Sequence, residues 1–203
     1  MKNLSNIKST LLKGTFVALA SVLTISCTEN KTTDSKKVAE ERNITKQDSS
    51  KSRVVVARLN DDEQFLIDAA EINLEEIRLG KLAQEKGTTQ QVKELGKSME
   101  QHHQKSLDEL TVLAKSKRIT IPTRLTEQGT DSYEDLNKKT EKDFDKAYAN
   151  MMIDRHEDAV GIFKKASEKS EDADIKKWAK DSLPMLQNHL DKSVKQKELT
   201  KNL

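Results

Sequence analysis

The chain has 203 residues, of which 34% are charged, 34% hydrophobic and only 3% aromatic, enough for one folded domain with part of the chain left unfolded. So few aromatic residues argue against an extensive sheet and for helices. The net charge of +2 is carried by residues 1–26, where Lys2, Lys8 and Lys13 meet no acid; the remainder has a balance of −1, so charge gives no reason to bind nucleic acid.

Those three lysines precede the apolar run Phe16–Ile25, which is too short to remain as a spanning helix, since that needs ~20 apolar residues. The run ends in Leu23-Thr-Ile-Ser-Cys27, with small Ser26 before the only cysteine in the chain. This arrangement resembles the lipobox of bacterial lipoproteins, although Thr24 stands three before Cys27 and the usual Leu sits one place earlier. The resemblance implies cleavage before Cys27 and lipidation of its thiol. A lone exported cysteine has no internal disulfide partner, which agrees. Residues 27–60 are rich in Lys, Thr, Ser, Asp, Glu and Asn, and apart from Val54–Val56 they lack apolar spacing; a flexible tether is expected there.

Four helices follow in residues 61–199. The first runs from Asp61-Asp62 to Gly87, with Phe65, Ala69, Ile72, Glu76, Leu79 and Ala83 on one face. The second runs from Thr88 or Thr89 to about Lys117 on Val92, Leu95, Met99, His103, Leu107, Leu110 and Ala114. Residues 118–130, with Pro122 and Gly129, have no helical period and read as a long connection. A third helix is expected from roughly Tyr133 to Lys169, along Tyr148, Met152, His156, Ala159, Phe163 and Ala166. The fourth runs from about Asp172 to Leu199 on Ile175, Ala179, Ser182, Leu186 and His189, with Pro184 expected to kink or split it. The fold class is therefore an all-α four-helix bundle. A connection of thirteen residues stretches about 43 Å, just enough for a ferritin-like crossover, so crossover and up-down topologies both fit.

Each helix places one ionisable side chain in its apolar stripe near mid-length: Glu76, His103, His156 and His189. Buried carboxylates and imidazoles need partners, and one shared level would provide them. Three imidazoles and a carboxylate suit a single Zn, Cu or Fe ion. A metal-free Glu–His hydrogen-bond network is the alternative. Glu100-x-x-His103 has di-iron spacing, but Ile153 and Leu186 stand where a second Glu would precede His156 or His189. Met99, Met152 and Met185 each precede a histidine by one turn, yet antiparallel helices prevent them from forming one layer with the imidazoles, and they read as core filler. His102, at the edge of the inner face, reads as a solvated neighbour or spare ligand. No phosphate loop or nucleophile–base constellation stands out, so no catalytic residue is assigned.

The segments Ala70–Ala83, Met99-Glu-Gln-His-His103, Phe144–Tyr148 through His156, and Leu183-Pro-Met-Leu-Gln-Asn-His189-Leu resemble the bacterial family of domain of unknown function 4142. Its members are often labelled outer membrane proteins and are held to be ferritin-like bundles. The resemblance spans about residues 61–197 and implies family-typical positions for Glu76, His103, His156 and His189. The family usually has Asp before the helix-two histidine, where this chain has His102. The resemblance supplies no settled activity. The expectation is an envelope lipoprotein on the periplasmic side of the outer membrane, or exposed at the surface. Its partners would be the membrane, through the lipid anchor, and an envelope protein or the cell wall. Two readings of the domain stay open beside metal binding: an interaction module and, last, a ferritin-like redox enzyme.

Overall fold

The computed structural model describes residues 34–48 and 59–201, which form six helices and no strand. In chain order these are α1 (Ser35–Asp48), α2 (Asp61–Lys86), α3 (Gln90–Ser116), α4 (Glu127–Asn137), α5 (Glu141–Lys169) and α6 (Ala173–Thr200). The expected signal segment, Cys27 and the tether residues 27–33 and 49–58 lie outside the described residues. Among the described residues no helix is long and apolar enough to cross a membrane.

Local chemistry sets the ends of three of the four long helices, α2, α3 and α6. Asn60 and Glu63 form a reciprocal capping box at α2, and Thr89 accepts from the Val92 N–H at α3. Asp172 accepts from the N–H groups of Asp174 and Ile175 at α6. Gly87 closes α2 because a Cβ there would meet the Ala83 carbonyl at 2.6 Å and Val92 at 2.8 Å. α3 ends in a Schellman turn: Ile119 N–H donates to the Ala114 carbonyl and Arg118 N–H to that of Lys115. Arg118 holds φ 59 there, a position that ordinarily takes glycine. α6 runs through Pro184 without splitting.

Two tight hairpins, α2/α3 and α5/α6, make the bundle. Gly80 and Gly96 let α2 and α3 approach so closely that a Cβ on Gly80 would lie 2.6 Å from the Gly96 carbonyl. Phe65 near the start of α2 packs edge-on against Phe163 near the end of α5, with ring centroids 5.1 Å apart, and both meet Trp178 near the start of α6. At the other end Leu82 of α2 shares a cluster with Val92 of α3 and Phe144 of α5. Neighbouring helices are therefore antiparallel, while α3 and α5 run the same way. The segment between them must traverse the bundle, which decides for the ferritin-like crossover over up-down packing.

The crossover is not structureless. Thr126 caps α4, which runs along α2; Tyr133 and Leu136 pack into the core, and Arg78 lies over the Tyr133 ring. This corrects the expectation of one helix from Tyr133: the chain breaks at 138–140 and restarts at Glu141, whose φ of 50 turns it into the bundle.

The tether expectation is likewise corrected at residues 35–48, which form α1. Ala39 and Asn43 are buried; Asn43 donates to the Thr120 carbonyl (2.9 Å) and accepts from the Thr120 N–H (2.8 Å). Lys36 bridges Asp68 (2.8 Å) and Glu71 (2.7 Å) on α2. A helix held by polar clamps and one alanine leaves little apolar periodicity in the sequence.

Candidate metal centre

The core is two apolar clusters with a polar layer between them. One gathers Phe65, Leu66, Leu110, Phe163, Ile175 and Leu186; the other gathers Leu79, Leu82, Met99, Phe144, Tyr148 and Met152. Between them lie Asn73 and Glu76 of α2, His103 of α3, His156 of α5 and His189 of α6, each at most 1% exposed. They share a level because each stands near the middle of a helix of similar length, whichever way that helix runs.

Three of the four expected residues come together. One ring nitrogen each from His103, His156 and His189 lies within 4.8 Å of the other two. Glu76 does not join that set, and neither of its carboxylate oxygens has a hydrogen-bond partner. Burial raises its pKa from 4.5 to about 7, against a weaker pull from Arg155. Glu76 also adds to the burial that holds the Tyr148 phenol well above its usual pKa.

The partners of each ring determine where its proton sits. His156 Nδ1 is 2.8 Å from the Met152 carbonyl, which only accepts, so Nδ1 carries the proton and Nε2 a lone pair. Asn73 donates its Nδ2–H to the Ala69 carbonyl (2.8 Å), which leaves Asn73 Oδ1 facing His103 Nδ1 at 2.9 Å. His103 Nδ1 is therefore the donor and its Nε2 a lone pair. The two Nε2 atoms face each other at 3.4 Å, two acceptors without a proton between them. His189 Nδ1 lies 3.2 Å from His156 Nε2, and its Nε2 lies 2.8 Å from His102 Nδ1. With its proton on Nε2, donated to His102, His189 turns a third lone pair inward. With its proton on Nδ1 it supplies one donor for two acceptors. Burial, with the charge of the neighbouring rings, pushes His103 well below 6.5 and His189 to about 3; burial takes His156 to about 4. The rings therefore stay neutral at pH 7 rather than closing the gap as imidazolium.

All four histidines of the chain belong to this one string of contacts. His102 is exposed, but it is not merely solvated. Its ring lies within 8° of the His189 plane with centroids 5.0 Å apart, an edge-to-edge arrangement consistent with a 2.8 Å N–H···N bond. It orients a would-be ligand, as outer partners of metal-bound histidine do. Asn73 does the same for His103 and was missed in the stripe, which was read through Ile72. The signal available was an amide four after Ala69 and three before Glu76. Glu100 turns away and accepts from Gln84 (2.6 Å), so its di-iron spacing is unused. Met99 and Met152 lie in one apolar cluster and Met185 against the other, as core filler.

A family model, the domain of unknown function DUF4142, matches residues 35–195. The chain belongs to the DUF4142 family. No curated protein and no solved structure matches it. The DUF4142 match begins at the first residue of α1, so the helix that clamps the crossover is part of the family domain. In this DUF4142 chain His102, standing where the resemblance leads one to expect Asp, is hydrogen-bonded to His189 of α6.

Proposed function

We propose that this chain is a membrane-anchored envelope lipoprotein whose bundle binds one transition-metal ion, Zn²⁺, Cu²⁺ or Fe²⁺, through His103 Nε2, His156 Nε2 and His189 Nδ1. The observation that carries the metal reading is the pair of Nε2 lone pairs facing each other at 3.4 Å, with both tautomers held by partners on the far side of each ring. A hydrogen-bond network alone leaves one of these buried acceptors without a donor, which costs about 1–3 kcal/mol. A cation at the convergence of the lone pairs satisfies all of them. Three neutral imidazoles suit borderline metals, with a fourth position left for water or another ligand. The lipid anchor rests on the Leu23–Cys27 motif and the lysines before it.

The mature chain without its anchor, beginning at Thr28 and carrying no tag, should co-purify with close to one metal ion, as read by elemental analysis. His156→Ala should reduce that to background. Absence of metal, together with no thermal shift on adding Zn²⁺, Cu²⁺ or Fe²⁺, overturns the reading.

A further inference from the structure

The three imidazoles are buried, so an ion needs a way in. On the α3/α6 side His189 is bonded to exposed His102, which orients that ring. On the opposite side a cleft of about 300 Å³ lies between α2 and α5 under α1 and α4. Its mouth carries four carboxylates, Asp68, Glu71, Glu75 and Asp158, against two cations, Lys36 and Arg155. Lys36 holds Asp68 and Glu71, Thr126 donates to Glu71 (2.7 Å), and Arg155 pairs with Glu75. Glu76 is the buried carboxylate left over: it lines the cleft, is 1% exposed, and both of its oxygens lack a partner.

The two helices that wall this cleft, α2 and α5, also carry Asn73 and His156 of the polar layer. Ile72 directly precedes Asn73, the partner of His103, and Arg155 directly precedes His156. Glu76 stands one turn beyond Asn73 on α2 and Ala159 one turn beyond His156 on antiparallel α5, so the cleft that both line spans the level of the polar layer. We propose that the cleft is a cation-binding access site in which Glu76 takes a divalent cation from the acidic mouth and delivers it to His103, His156 and His189. This rests on the metal reading of the centre. A mouth with excess negative charge concentrates cations. Carboxylate oxygens suit the hydrated ion, and imidazole then holds the borderline metals more firmly. An unpartnered buried carboxylate gains from a nearby cation, and three imidazoles outcompete a single carboxylate for a borderline metal.

The test follows loading of the full-length chain in detergent with Co²⁺ alone, by stopped-flow absorbance of its ligand-field bands. Glu76→Gln should slow loading about tenfold or more, and Asp158→Asn, an exposed change at the mouth, several-fold, with salt reducing the Asp158 effect. Final spectrum and stoichiometry should match the unaltered protein in both. Loading at the unaltered rate in both variants overturns the access site. So does loss of the final spectrum in Glu76→Gln, which would make Glu76 a resident ligand. If the unaltered protein and His156→Ala give the same spectrum, the three-histidine reading itself has failed and the access site falls with it.

Discussion

Glu76 and the histidines titrate in opposite senses, and the metal-free protein should show both. The folded-state pKa of Glu76, about 7, lies above its ordinary 4.5, so the neutral acid is the form the fold accepts. Its contribution is fully present below pH 4.5 and lost as pH rises through 7, at a cost on the order of 3 kcal/mol. His156 and His189 have folded values of about 4 and 3, below 6.5, so their contribution is present above pH 6.5 and lost as pH falls toward 4. Metal-free stability should peak near pH 6 to 7. Glu76→Gln keeps the neutral shape, so at pH 8 it should be more stable than the unaltered protein by roughly 2–3 kcal/mol, and near pH 5 it should match it. Denaturant unfolding at several pH values checks this; parallel profiles would contradict it. At this scale the sequence showed which residues break the apolar stripes, because Glu and His are conspicuous among Leu, Ala and Met. It did not show that Asn73 rather than Glu76 meets His103, or that His102 meets His189. Those pairings depend on helix rotation and on partners 30 and 87 residues away.

Among the elements, α1 is the one that periodicity failed to find. Its attachment is largely polar: Asn43 to Thr120, Asp34 to the Glu127 N–H, and Lys36 to α2. Asn43→Ala removes both bonds to Thr120 and leaves a partly buried N–H and C=O, a loss of about 1–3 kcal/mol. Amide hydrogen exchange should show residues 35–48 and 118–127 exchanging faster in that variant, with α2, α3, α5 and α6 unchanged. Uniform acceleration would mean that α1 is integral to the bundle, and no change that the clamp is idle. α2, α3 and α6 were legible because apolar spacing and an N-terminal cap agree in each, whereas Thr140 makes no side-chain cap and the start of α5 was placed too early. α4 was partly missed because its eleven residues carry only two apolar anchors, Tyr133 and Leu136.

For the whole molecule, the prediction lies at Cys27. Cys27→Ser should abolish incorporation of labelled fatty acid and move the protein from the membrane to the soluble fraction, because more than one acyl chain is needed for firm anchoring. Unchanged membrane retention would contradict the lipoprotein reading. By itself the sequence determined the helical class, the extents of α2, α3 and α6 to within a few residues and the mid-height histidines, since all three follow from spacing along one chain. The tertiary structure alone decided the crossover, the docking of α1 and the choice of three imidazoles without Glu76. The physical reason is that a stripe records only which face of a helix is inward. Which neighbour that face meets depends on how the helices pack, and there the closeness permitted by Gly80 and Gly96, the polar clamps of Asn43 and the second bonds of each imidazole select one arrangement.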